Sequence, residues 1–164
     1  MPDNFERMIK LAEEFFGARS DPNQISVDEK ILEKLARVDP ATRMQEVNED
    51  GPITWILVIP TTNVVMNRFL REEISENELL ELTLPGEKYD SVYLCSALVL
   101  PENRGKGIAK QLTIEAIRSI SKRHPIRSLY VWAFSDDGAR LAAAVAKEVG
   151  LPLYKRKESQ HHLR

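Results

Sequence analysis

Arg104, Gly105, Lys106 and Gly107 place two glycines and two cations in one short run, a composition suited to holding an anion. Without side chains the glycines let backbone N–H groups approach a ligand closely, and the arginine and lysine add charge beside them. What such a loop can do depends on the elements around it. Ser91 to Leu100 (SVYLCSALVL) is apolar and β-branched enough to form a buried strand. Pro101-Glu102-Asn103 breaks it, and from Gly107 onward Ile108, Leu112, Ala116 and Ile120 fall on one helical stripe. A strand that delivers a glycine turn to a helix N-terminus aims several N–H groups and the positive end of the helix dipole at one point. That arrangement suits phosphate, and the segment reads as a pyrophosphate cradle.

Two other glycine-loop chemistries fail on spacing. No Gly-x-x-x-x-Gly-Lys-Ser/Thr run occurs, and a dinucleotide fingerprint would need a glycine where Asn103 stands. Instead Arg104-x-x-Gly107-x-Ala109, preceded by Val99-Leu100-Pro101-Glu102, resembles the acyl-CoA-binding signature of the GNAT N-acetyltransferases, Arg/Gln-x-x-Gly-x-Gly/Ala. The resemblance holds from Val92 to Gln111 and extends toward Leu151. It implies an α/β fold, a mixed central sheet flanked by helices, in which the strand before the cradle and the next parallel strand splay apart. It also implies acetyl-CoA as acyl donor lying in that gap. Val99 would offer backbone groups to the pantetheine arm, and the backbone of Arg104, Gly105, Lys106, Gly107, Ile108 and Ala109 would bind the pyrophosphate.

Acyl transfer from a thioester to an amine needs a neutral amine, a polarised carbonyl oxygen and a proton for the leaving thiolate. Many family members supply that proton from a tyrosine four residues before the glycine that closes the last helix. Counting back from Gly150 reaches Ala146, which has no proton to give. The asparagine often found near the start of that helix is also missing from Ser135-Asp136-Asp137-Gly138-Ala139. Relatives sometimes carry a catalytic carboxylate on the key strand where Tyr93 stands here, so Tyr93 is the candidate catalytic residue, although a half-buried strand tyrosine with a satisfied hydroxyl is the plainer reading of it. Tyr154, past the final helix, is a second candidate. Two-residue alternation puts Tyr93, Cys95, Ala97 and Val99 on one face. Cys95, the only cysteine, reads as a small buried hydrophobe and excludes an intrachain disulfide.

Composition bounds the partners. The chain has 164 residues, 43% hydrophobic and 29% charged, with a net charge of −2 from 23 Lys+Arg and 25 Asp+Glu. This is one globular domain, 1–164, without the basic excess of a dedicated nucleic-acid binder. No apolar run reaches membrane-spanning length, and MPDNFERMIK lacks the apolar core of a signal peptide. A cytoplasmic location and no membrane partner are expected. His161-His162 lie in a polar tail, and no Cys/His or carboxylate cluster has metal-ligand spacing, so no metal is expected.

Along the chain, Asp3 to Phe16 reads as an amphipathic helix stopped by Gly17, and Ser26-Val-Asp-Glu29 as a capping box opening a second helix with Ile31, Leu32, Leu35 and Ala36 inward. Arg43 to Val47 and Ile53 to Ile59 read as a hairpin around Asn48-Glu49-Asp50-Gly51-Pro52. Thr62 to Arg71 and a turn opened by Ser75-x-x-Glu78 are helical, where the family usually runs an uninterrupted meander. The segment from Pro60 to Pro85 is therefore either an insertion over the acceptor side or a sign that the preceding strands are misplaced. Ser128 to Phe134 is a buried strand, Asp136-Asp137 can cap a helix from Gly138 to Val149, and Leu153 to Arg156 adds a last strand. Strand, helix, strand, helix from Ser91 predicts two parallel neighbours.

The expected activity is transfer of an acetyl group from acetyl-CoA to a primary amine by direct attack in a ternary complex. A small-molecule acceptor is favoured over a protein, no nucleic-acid partner is expected, and a homodimer is left open. The alternative is a non-catalytic acyl-CoA sensor or scaffold of the same fold, to which the alanine at 146 points.

Overall fold

In the computed structural model, which describes residues 3–19, 29–133 and 135–157, the apolar run Gly51–Thr61 forms β2, the second strand of a five-stranded sheet. The sheet follows chain order: β1 (Arg43–Asn48), β2, β3 (Ser91–Val99), β4 (Ser128–Val131) and β5 (Leu153–Lys155). β1, β2 and β3 pair antiparallel, and β3, β4 and β5 pair parallel. Helices α1 (Asn4–Arg19), α2 (Glu29–Val38), α3 (Asn63–Leu70), α4 (Glu76–Leu82), α5 (Ile108–Ser121) and α6 (Asp136–Val149) complete it. This is the mixed, helix-flanked sheet that the sequence implies.

β2 is buried along most of its length because both faces are covered, which is why it reads as a continuous apolar run rather than an alternating one. Ile56 and Val58 pack with Leu112 and Ile117 of α5 and Val145 of α6. Leu57 and Ile59 on the opposite face pack with Val65, Met66 and Phe69 of α3 and Leu79 and Leu80 of α4. Farther along that second face, Ile53 and Trp55 meet Met8 and Leu11 of α1.

The stretch from Pro60 to Pro85 is thus part of the core, and the strands before it are in place. Local chemistry fixes its two helices. The Thr62 side chain accepts from the Val65 N–H at 3.3 Å, and Ser75 and Glu78 close the expected capping box. Caps of this kind are worth about 1 kcal/mol each. Lys34 of α2 donates to the Leu80 carbonyl at 2.6 Å, satisfying an end of α4 that helix geometry leaves open.

Several boundaries differ from the sequence reading, among them β4, which ends at Val131 rather than Phe134, and β2, which runs from Gly51 to Thr61 rather than from Ile53 to Ile59. α1 runs through Gly17 to Arg19, since one glycine costs a helix only about 1 kcal/mol against alanine. The hairpin turn is tighter than expected, with β1 reaching Asn48 and β2 starting at Gly51; the Asn48 side chain accepts from the Asp50 N–H at 2.9 Å and shapes it. α6 starts at Asp136 and is capped by Ser135, which accepts from the Gly138 N–H at 3.0 Å, rather than by Asp136 or Asp137. The Ser26-to-Glu29 capping box and His161-His162 lie outside the described residues, apart from Glu29 itself.

Candidate functional site

Among the described residues β3 and β4 pair from Ser91↔Ser128 to Leu94↔Val131, while β3 continues to Val99. Past that pairing β3 runs on through Ala97, Leu98 and Val99 with no β4 partner among the described residues, as splayed strands would leave it. A bulge lies where the pairing ends: Leu94 opposes Val58 and Ser96 opposes Leu57, so Cys95 is the extra residue. This overturns the expectation of one face for Tyr93, Cys95, Ala97 and Val99. Tyr93 and Cys95 pack on the α3–α4 side, and Ala97 packs on the α5–α6 side, because the inserted residue shifts the alternation by one.

The orientation of the free edge follows from the ladder. The Leu100 N–H donates to the Ile53 carbonyl at 2.9 Å. By antiparallel alternation the backbone groups of Val99 and Ala97 turn away from β2, toward the gap. Ala97, Leu98 and Val99 line a cavity of about 680 Å³, within the usual size of a ligand site, roughly 300–1,000 Å³.

Every residue read as cofactor-binding lines this same cavity: Val99, Arg104, Gly105, Lys106, Gly107, Ile108 and Ala109. β3 ends in a 3-10 turn, Pro101–Asn103, and Gly105 and Gly107 then adopt φ of 78° and 77°. A Cβ at either would meet nothing within 4 Å. Glycine is therefore required by the left-handed backbone, and the space around both is open to a ligand. Gly107 caps α5 without a side chain, so N–H groups of the first turn keep their hydrogen-bonding capacity for an anion. The Val99 carbonyl, meanwhile, accepts from Nε of Arg104 at 3.1 Å.

Two further walls escaped sequence reasoning. α1 contributes Leu11, Glu14 and Phe15, and the start of α6 contributes Ser135, Asp137 and Leu141. α1 is held there by Arg7, which donates from Nη1 and Nη2 to the two carboxylate oxygens of Glu102 at 2.6 Å each. That guanidinium holds the Glu102 carboxyl down at about 2. No sequence signal marks the pair, since both residues read as ordinary surface charges.

Tyr93 lies elsewhere. It is fully buried, its hydroxyl donates to Oε2 of Glu76 at 2.5 Å, and its ring sits 5.0 Å from Phe69 and 5.1 Å from Tyr130. It is not on the cavity wall. Tyr154 is exposed on β5. Ala146 is buried between α5 and α6 with Val145 and Leu112. Among the described residues no three His, Cys, Asp or Glu side chains gather as a metal site requires, and no helix is long and apolar enough to cross a membrane.

No protein-family model matches the chain, and no curated protein matches it in sequence. Among solved structures it is similar to an aminoglycoside acetyltransferase from an uncultured soil metagenomic sample, solved with trehalose, at 18% identity and a TM-score of 0.48 over 83% of this chain and 74% of that one. It is also similar to a tetramutant of the BH1408 protein from Bacillus halodurans, at 17% identity and a TM-score of 0.48 over 95% and 91%. Likeness at this level leaves the functional reading to the geometry of the cradle.

Proposed function

We propose that the protein is an acyl-CoA-dependent N-acyltransferase that uses acetyl-CoA to acetylate a primary amine. The observation that carries this reading is the convergence, in one cavity, of the splayed edge of β3 with the left-handed glycine turn and the start of α5. A diphosphate fits the turn, where backbone N–H groups, the α5 dipole, Arg104 and Lys106 converge. A pantetheine arm fits the β3 edge, which offers the backbone groups of Ala97 and Val99 in strand-like spacing.

In this reading the thioester carbonyl lies along β3 near the bulge at Cys95 and is polarised by backbone N–H groups of the open edge. The amine nitrogen attacks the carbonyl carbon, the C–S bond breaks, and the amine proton passes to solvent. Holding both substrates together supplies much of the rate, so a strong base is not needed. With Ala146 in the core and Tyr93 turned to Glu76, the thiolate takes its proton from water. A small amine is the favoured acceptor.

The test is the thermal midpoint with and without excess acetyl-CoA, since a ligand bound only by the native state raises it. A rise supports the cradle and leads to assays of CoA release with a panel of amines; no rise at high ligand concentration rejects the assignment. One observation favours a second reading, a non-catalytic acyl-CoA sensor: the buried Ala146 where the family resemblance places a proton donor. Binding without turnover for any amine would select it.

A further inference from the structure

The side chain that should meet the diphosphate is already engaged. Among the described residues the one side-chain hydrogen bond of Arg104 runs from Nε to the Val99 carbonyl at 3.1 Å, and both residues line the cavity. That carbonyl faces the gap, where a pantetheine amide would need it. Arg104 is exposed, so leaving the carbonyl takes it into solvent and disrupts no packing.

We infer that Arg104 is a specificity latch, a conclusion that rests on the acyl-CoA reading above. It caps Val99 in the free protein and yields the carbonyl to a ligand that brings a diphosphate as well as a pantetheine arm. The exchange is lopsided. A ligand with the arm alone replaces one hydrogen bond by another and returns the exposed guanidinium to water, so the gain is close to nil. A ligand with a diphosphate replaces the same bond and gives the displaced guanidinium a charge-assisted partner beside Gly105 and Gly107. The latch thus makes the site select acyl-CoA over pantetheine thioesters that lack the nucleotide.

The experiment compares CoA and free pantetheine binding, by calorimetry and NMR titration, in the wild-type chain, Arg104→Ala and Lys106→Ala. The latch predicts opposite signs for Arg104→Ala: CoA affinity falls about tenfold, the loss of one charge-assisted contact, and pantetheine affinity rises about threefold as the carbonyl is uncapped. Lys106→Ala removes a cation but no cap, so it lowers CoA affinity and leaves pantetheine unchanged. If Arg104→Ala weakens both ligands, leaves pantetheine as it was, or changes neither, the latch is overturned and the cradle stands. If the wild-type chain binds no CoA, latch and acyl-CoA reading fall together.

Discussion

Arg7 and Glu102 stand 95 residues apart in sequence and share two hydrogen bonds of 2.6 Å, the guanidinium on α1 and the carboxylate on the turn that leads into the glycine loop. The pair fastens one wall of the cavity to the element that shapes its floor. α1 otherwise leans on β2 and β3 through Met8 and Leu11, contacts that resist detachment better than sliding, since apolar packing has no direction of its own.

Glu102→Gln or Arg7→Ala should therefore loosen the cavity without unfolding the chain. Both side chains are solvent-accessible, and exposed pairs contribute little to stability, so the thermal midpoint should hardly move. Acetyl-CoA affinity should fall severalfold in each single variant, and the double variant should be no worse than either alone, the signature of a shared interaction. Isothermal calorimetry reads this directly. Unchanged affinity in both single variants would mean that apolar packing alone holds the wall.

Gly107→Val tests the cradle itself. At φ of 77° an L-residue is disfavoured by roughly 1–2 kcal/mol, and a β-branched one more so. A new Cβ meets nothing in the protein, so the fold should survive with a modestly lower midpoint while CoA binding disappears. Retained binding would remove the turn from the site.

Tyr93→Phe separates strut from acid. The hydroxyl is buried and donates to Glu76, so its removal should cost about 1–3 kcal/mol of stability, visible in urea denaturation. Turnover measured well below the midpoint should be retained, because the ring is not on the cavity wall. A variant with normal stability and a collapsed kcat would return Tyr93 to the chemistry.

These variants also show where sequence reading succeeded. The cradle was legible because its signals are local: a buried strand, two glycines whose freedom is used at positive φ, and a helix stripe. The caps at Ser75 and Gly150 were legible for the same reason. What depends on distant partners was not. The bulge at Cys95 comes from the register of β3 against β2, and nothing in SVYLCSALVL announces an extra residue. The α1 wall depends on Arg7 meeting Glu102, and the cover that the helices between Ile59 and Ser91 give Leu57 and Ile59 depends on the sheet they meet. Tyr93 is singled out by the family resemblance, and the bulge is what sets it on the opposite side of the sheet from Ala97.

Asp39 and His124 form a pH-sensitive cluster apart from the site. Its carboxylate is buried and accepts from Arg123 Nε at 2.8 Å, from Arg123 Nη2 at 2.6 Å and from the Ala41 N–H at 2.8 Å. His124 Nε2 lies 3.6 Å away, and its Nδ1 accepts from the Tyr89 N–H, which fixes the neutral ring. Burial pushes the Asp39 carboxyl up, but Arg123, the Ala41 N–H and His124 together outweigh it and leave it below its ordinary value. Burial pushes the His124 imidazole down; Asp39 opposes this, Lys88 and Arg123 add to it, and the net direction is down. Both groups thus titrate lower in the folded chain than in the unfolded one, so the unfolded state takes up protons first. Their contributions are complete above the unfolded values, about 6.5 for histidine and about 3.9 for aspartate, and are lost as pH falls through the folded ones. The thermal midpoint should be level from pH 8 to 7, decline below about 6.5 as the first step, and fall again below about 4. His124→Gln should flatten the first decline and Asp39→Asn should shrink the second, at the expense of a lower midpoint at neutral pH because Arg123 loses its carboxylate. A wild-type midpoint unchanged between pH 7 and 5 would show that His124 carries no such strain.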